Sequence, residues 1–219
     1  DDTDQISLIN SSMEDIEVDP KRFNPRAIQN AISAAKSQFI TLGNFSVDNY
    51  FDEIVRRVYE RYEHLLSQSS AVDFDDLLLK AQLILERFPD ISFRYQERFL
   101  HFMIDEFQDT NVVQYSLARK LSEHHRNLCV VGDPDQSIYK WRGADLRNIL
   151  DFEEDYPETT VVRLERNYRS TQVILDAATG VIRCNQNRKP KNLYAERKGG
   201  DLIVCHRAND ELEEDDHEY

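Results

Sequence analysis

The sequence has no G-x-x-x-x-G-K-[ST] loop, and it has only 6 glycines in 219 residues. In P-loop enzymes that loop and its lysine supply most of the grip on nucleotide phosphates. These residues alone are therefore expected to lack useful nucleotide hydrolysis. Cysteine is also sparse: Cys129, Cys184 and Cys205 show no C-x-x-C spacing and are too few for a disulfide framework. Cys129, inside an apolar run, is expected to be a buried small hydrophobe. The 6 histidines show no metal-ligand spacing, and the pair His124 and His125 is expected at a helix end, where positive charge suits the dipole. No apolar run approaches the length of a membrane span, and the first residues are not expected to act as a signal peptide. The expectation is a reducing, cytoplasmic setting without a membrane partner.

Positive charge is in deficit too, with 27 Lys and Arg against 41 Asp and Glu, a net charge of −14. That balance is awkward for a nucleic-acid binder, but it is unevenly spread. Residues 1–20 hold 7 acidic and no basic side chains, and residues 210–219 hold another 7 and none. Without the two ends, the body carries 27 acidic and 27 basic residues. Within it, residues 163–198 carry 9 Lys and Arg against 3 Asp and Glu. The ends are excluded from contact with nucleic acid; the body is not.

Hydrophobic residues make up 40% of the chain, enough for one or two domains with cores of their own. Residues 1–100 read as nearly all helix, beginning with a short one around Ile6, Leu8 and Ile9. Asn24 followed by Pro25 opens a helix to about Ile40, with Ile28, Ile32, Ala35 and Phe39 on one face. Ser46 is expected to cap the next, whose Tyr50, Ile54, Val58, Tyr62 and Leu65 keep helical spacing to about Leu66. Asp73 caps a third, ended by Pro89. Asp73, Asp75 and Asp76 could suggest a metal site, but capping accounts for Asp73 and solvation for the other two.

From about Phe99 the period changes. Strand, helix (110–124), strand, loop, helix (144–155), strand (160–163), helix (170–187) and a last strand (201–206) predict an α/β fold with a parallel sheet. The stretch HFMIDEFQDT (101–110) runs an apolar strand straight into Asp105 and Glu106. Ionised carboxylates beside a core are costly without partners, and ligands of α/β sheets bind at the carboxyl ends of strands. An Asp-Glu pair there suits nucleotide hydrolysis, with one acid holding Mg²⁺ and the other orienting or deprotonating water. The bland reading is a turn in which Asp109 and Thr110 cap the following helix. A second apolar run, 127–131, breaks into Gly132-Asp133-Pro134-Asp135-Gln136-Ser137. Tyr139, Trp141 and Arg142 follow, aromatic and guanidinium planes of the kind on which single-stranded bases stack. The competing reading makes Trp141, the only Trp, an ordinary core residue.

The blocks VDFDDLL (72–78), IDEFQDTN (104–111), VVGDPDQSIYKWRGAD (130–145) and LERNYRST (164–171), in this order, resemble the UvrD/Rep/PcrA-type superfamily 1 DNA helicases from about residue 1 to 207. The resemblance implies a partial RecA-like (P-loop NTPase) parallel sheet with an N-terminal all-helical inserted subdomain. It divides the chain into a helical subdomain (1–98), the C-terminal half of the first RecA-like domain with the three later motifs (99–200), and the truncated start of the second (201–219). It implies a central fragment of an ATP-dependent helicase that couples Mg²⁺-ATP hydrolysis to translocation on single-stranded DNA and unwinding at single-strand/duplex junctions, in repair or replication. Asp105 would then partner Mg²⁺ and Glu106 would be the catalytic base. Gln136 would reach the γ-phosphate, Tyr168 would stack on adenine, and Arg169 would pair with the γ-phosphate. Tyr139, Trp141 and Arg142 would be the DNA-stacking group. Read singly, Gln136 could be a turn residue, and Tyr168 with Arg169 a half-buried tyrosine beside a surface ion pair. Two alternatives stand beside the helicase: an ATPase-dead module that binds DNA or protein, and part of a RecB-type helicase-nuclease.

Overall fold

The computed structural model describes residues 1–185, 188–197 and 199–204, without the side chain of Arg142, and the chain folds as two compact units, Asp1–Tyr156 and Pro157–Tyr219. The first unit opens with α1 (Asp2–Asp15), α2 (Pro25–Lys36) and α3 (Tyr50–Gln68). Asn24 accepts a hydrogen bond from the Arg26 N–H with Pro25 at the first helical position, as the sequence predicts. The cap of α3 is Asn49, which accepts from the Asp52 N–H, and not Ser46. Asn49 directly precedes Tyr50, so its short amide reaches the orphan N–H of the first turn. Apolar residues at helical spacing on the three helices, among them Ile9, Met13, Ile28, Ile54, Val58 and Tyr62, form the core.

Asp73 begins α4 (Phe74–Arg87) as expected. Pro89 does not close the helical region: it stops α4 and occupies the first turn of α5 (Pro89–Arg98), where its missing N–H costs nothing. Asp76, expected to be solvated, is buried. Lys36, at the end of α2, is only 1% exposed and pairs with Glu63 at 2.6 Å, Asp73 at 2.7 Å and Asp76 at 2.9 Å. The Tyr62 hydroxyl donates to Asp73 at 3.0 Å. Burial alone would depress the Lys36 pKa, but the charge of Asp73, hydrogen bonds to Asp73 and Asp76, and the Glu63 carboxylate paired with it hold it above the ordinary lysine range. Burial likewise pushes Tyr59, beside this cluster, up to about 12.

Two short strands follow, β1 (Phe102–Ile104) and β2 (Leu128–Val130), joined through α6 (Val112–Ser122) and paired in parallel with Met103 opposite Cys129. Leu128 and Val130 pack toward Phe107, Tyr115, Phe152 and Tyr156. Cys129 points the other way and is exposed, against the expectation of burial, because side chains alternate across a strand. The helix expected at 144–155 is two short ones, α7 (Arg147–Leu150) and α8 (Phe152–Asp155), broken at Asp151. The break lets Phe152 pack edge-on to Phe107 while Tyr156 stacks on Phe152.

The second unit contains β3 (Arg166–Thr171), α9 (Gln172–Ile182) and β4 (Tyr194–Arg197), with β3 and β4 parallel. Residues 160–163, expected as a strand, are not one; Val162 is 75% exposed. The strand lies at 166–171, where β4 supplies backbone partners. Residues 201–204 are not a strand either, and 205 and 206 lie outside the described residues, as do Cys205 and the acidic tail. The fold is thus mixed α/β with two small parallel sheets among the described residues. The division at 156/157 places the 164–171 motif in the second unit and Asp105 in the first. No helix among the described residues is long and apolar enough to cross a membrane.

Candidate active site

The site is built where β1 and β2 end side by side. The Val131 N–H donates to the Ile104 carbonyl at 2.8 Å, and the Phe107 N–H donates back to the Val131 carbonyl at 2.9 Å. Asp105 and Glu106 therefore leave the sheet edge exposed and directly beside the 132–137 loop. Glu106 has left-handed backbone angles, φ 51° and ψ 41°. A non-glycine residue persists there only where its surroundings hold it, and such residues cluster at functional sites. The Asp105 Oδ1 accepts from the Glu106 N–H at 2.9 Å.

One residue that the sequence reading left out organises this corner. Gln108 is 1% exposed; its Nε2 donates to Glu106 Oε2 at 2.8 Å, and its Oε1 accepts from the Asp133 N–H at 2.9 Å. Asp133 in turn caps the short 3₁₀ turn Pro134–Gln136 through Asp135 N–H and accepts from Gln136 Nε2 at 2.8 Å. Glu106 and Gln136 are thus brought together by way of Gln108 and Asp133. Gln136 engages its own loop, as the bland reading anticipated.

Gly132 is required by close approach. A Cβ at this position would lie 2.6 Å from Gln108 Oε1 and 3.1 Å from the Phe107 backbone nitrogen. Gly132→Ala is expected to lower stability by about 1–3 kcal/mol, the usual cost of overpacking, read as a lower melting temperature; an unchanged melt would mean that the corner opens freely.

Asn111, not Asp109 or Thr110, caps α6, through a reciprocal pair with Gln114. The cap explanation for the acids is therefore removed. Asp109 instead lines a small cleft with Asn111, Gln114 and Tyr139. Beyond Gln136 the chain turns through Lys140–Arg142, and Trp141 is 74% exposed and Tyr139 37%. Trp141 is not a core residue. Gly143, at φ 87°, closes this turn against Ser37, where a Cβ would come within 2.7 Å of the hydroxyl oxygen.

In the second unit Tyr168 is 65% exposed, not half-buried, and the Arg166 guanidinium lies 5.0 Å from its ring centroid. Asn167 Oδ1 accepts from the N–H groups of Arg169 and Ser170 at 3.0 and 2.7 Å, where the pairing of β3 with β4 shifts register, and Arg169 is exposed. Arg166, which also pairs with Glu196, carried no signal of its own in the sequence.

Residues 1–157, most of the chain, match the UvrD/REP helicase N-terminal domain. The chain belongs to the UvrD/REP helicase family. Residues 162–217 match the UvrD-like helicase C-terminal domain, so the two matches meet close to the structural division at 156/157. The ATP-dependent DNA helicase PcrA of Bacillus subtilis is 46% identical over 216 residues, 98% of this chain and 29% of the relative. PcrA of Staphylococcus epidermidis is 45% identical over 98% of this chain and 30% of its own length, and a Staphylococcus aureus PcrA is 44% identical over the same shares. This UvrD/REP segment thus spans under a third of the length of these curated relatives.

Proposed function

We propose that this chain is the part of an ATP-dependent DNA helicase that joins the hydrolytic acids to a single-stranded DNA contact, with residues 1–98 as a helical subdomain attached to a RecA-like core. The observation that carries the reading is the exposure of Trp141, 74%, five residues beyond Gln136 and in the same unit as Asp105 and Glu106. A polar loop tied to the acids leads within one turn to an aromatic surface.

Asp105 is assigned to Mg²⁺. The donor set fits: Asp105 is an exposed carboxylate at a strand end, and Mg²⁺ is commonly held by one or two carboxylates together with water and substrate phosphates. When bound, the ion neutralises charge on the phosphates. Glu106 is assigned as base for the attacking water, Gln136 as the phosphate-facing amide, Tyr168 as the adenine platform, and Arg169 as a phosphate partner suited by its forked donors. Tyr139, Trp141 and Arg142 are assigned to stacking on single-stranded DNA, with single-strand/duplex junctions as the substrate of the whole protein. Both Asp105 and Glu106 and the arranged loop beside them favour this over an ATPase-dead module.

Trp141→Ala in a full-length helicase carrying this segment tests the reading. The expected result is weaker single-strand affinity by about 1–3 kcal/mol per stacked base, tenfold to a hundredfold, with basal ATP hydrolysis and melting temperature retained. Unchanged affinity would withdraw the DNA assignment of Trp141 and of its neighbours Tyr139 and Arg142.

A further inference from the structure

We infer that Gln108 is a positioning residue for hydrolysis, holding the Glu106 carboxylate and the 133–136 turn in one register; the inference rests on the reading of Glu106 as the base. An amide buried to this degree is costly unless both its ends are satisfied. A leucine-sized apolar side chain could fill the same space. Gln108 instead spends its donor on Glu106 at 2.8 Å and its acceptor on the Asp133 N–H at 2.9 Å. A longer contact runs from the same Nε2 to Asp109 Oδ2 at 3.5 Å.

The orientation of the amide follows from its partners. Flipped, it would set its oxygen against a carboxylate and its NH₂ against an N–H, so only one placement is bonded at both ends. The bare Gly132 lets Oε1 approach the loop this closely. Hydrogen bonds then run without a break from Glu106 through Gln108 and Asp133 to Gln136. The carboxylate keeps a second oxygen, Oε1, for water, while Oε2 is anchored. Asp133 joins the two ends, holding Gln136 with its side chain and Gln108 with its backbone N–H. Gln108 touches neither phosphate nor water in this scheme; it acts through Glu106.

The experiment uses the full-length helicase carrying this segment, with Gln108→Met, Gln108→Glu, Glu106→Gln and the Glu106→Gln/Gln108→Met double variant. Gln108→Met keeps the volume and removes both hydrogen bonds. Gln108→Glu keeps the acceptor for Asp133 but sets a second carboxylate against Glu106. The expected result is a fall in DNA-stimulated kcat of about 10- to 100-fold for Gln108→Met, the scale of a lost hydrogen bond to a charged group. Gln108→Glu should fall further, with KM for ATP within about twofold in both. The double variant should be no slower than Glu106→Gln, because residues acting as a unit are not additive. Wild-type kcat in both Gln108 variants, or losses that add to that of Glu106→Gln, would overturn the inference while leaving Glu106 as the base. Normal turnover in Glu106→Gln would instead remove the base assignment and the inference with it. Gln108→Met and Gln108→Glu proteins that both fail to fold would mark Gln108 as structural and also overturn it.

Discussion

Glu106→Gln in a full-length helicase carrying this segment is expected to keep ATP affinity and to lose roughly 10²–10⁴-fold in DNA-stimulated turnover, the usual contribution of a positioned base. The amide is close to the carboxylate in size, so the left-handed turn at Glu106 and the strand edge beside it are preserved. What disappears is a group able to accept a proton from water. The exchange also sets an amide opposite the Gln108 Nε2, and the new oxygen can still accept that bond. Nucleotide affinity by equilibrium titration and the single-turnover rate per bound ATP separate the outcomes. A collapse of affinity with a normal rate per bound ATP would make Glu106 a binding residue and return the base to another group.

Lys36→Met is expected to cost the 219-residue chain about 3–5 kcal/mol, the range for removing one partner of a buried ion pair. A chain of this size loses roughly 2–4 °C of melting temperature per kcal/mol, so the drop should reach about 6–20 °C. Methionine fills most of the space, but Glu63, Asp73 and Asp76 are then left facing one another without a cation. The rings of Tyr59 and Tyr62, with centroids 5.7 and 5.4 Å from the ammonium, lose it as well. Arg61→Ala is the control. Its pair with Asp15 is 32% and 42% exposed, and its loss should cost about 1 kcal/mol or less. The pH dependence has a definite sign. The folded Lys36 pKa is raised, so its contribution is complete below the unfolded value of about 10.4 and is lost only as pH rises through the folded one. The gap in melting temperature between Lys36→Met and the parent should therefore stay constant from neutral pH to about pH 9. A drop of only a degree or two would show that water or rearrangement compensates the three carboxylates.

The sequence by itself determined the features whose causes lie within a turn or two of chain. Asn24 with Pro25, and Asp73, began helices where their side chains could reach an orphan N–H. The spacing of Ile54, Val58 and Tyr62 predicted the buried face of α3, because a 3.6-residue period is a property of one segment. The order of the four motif blocks was enough to identify the family. Strand placement near 160–170 was different. Val161 and Val162 have the β-branched character of a strand, yet the strand formed at Arg166–Thr171, where Tyr194–Arg197 offers hydrogen-bonding partners.

Only the tertiary structure decided the rest. Lys36 finds Asp73 and Asp76 at separations of 37 and 40 residues, and no local signal marks that approach. Gln108 reaches Asp133 across 25 residues, so its bridging role was hidden inside a motif read for its acids. Cys129 and Trp141 show the same lesson in exposure: the face of a strand or turn that meets a core depends on what packs against it. Helix caps and periodicity are short-range and survive in sequence; burial, ion pairing and amide orientation depend on which distant segments meet.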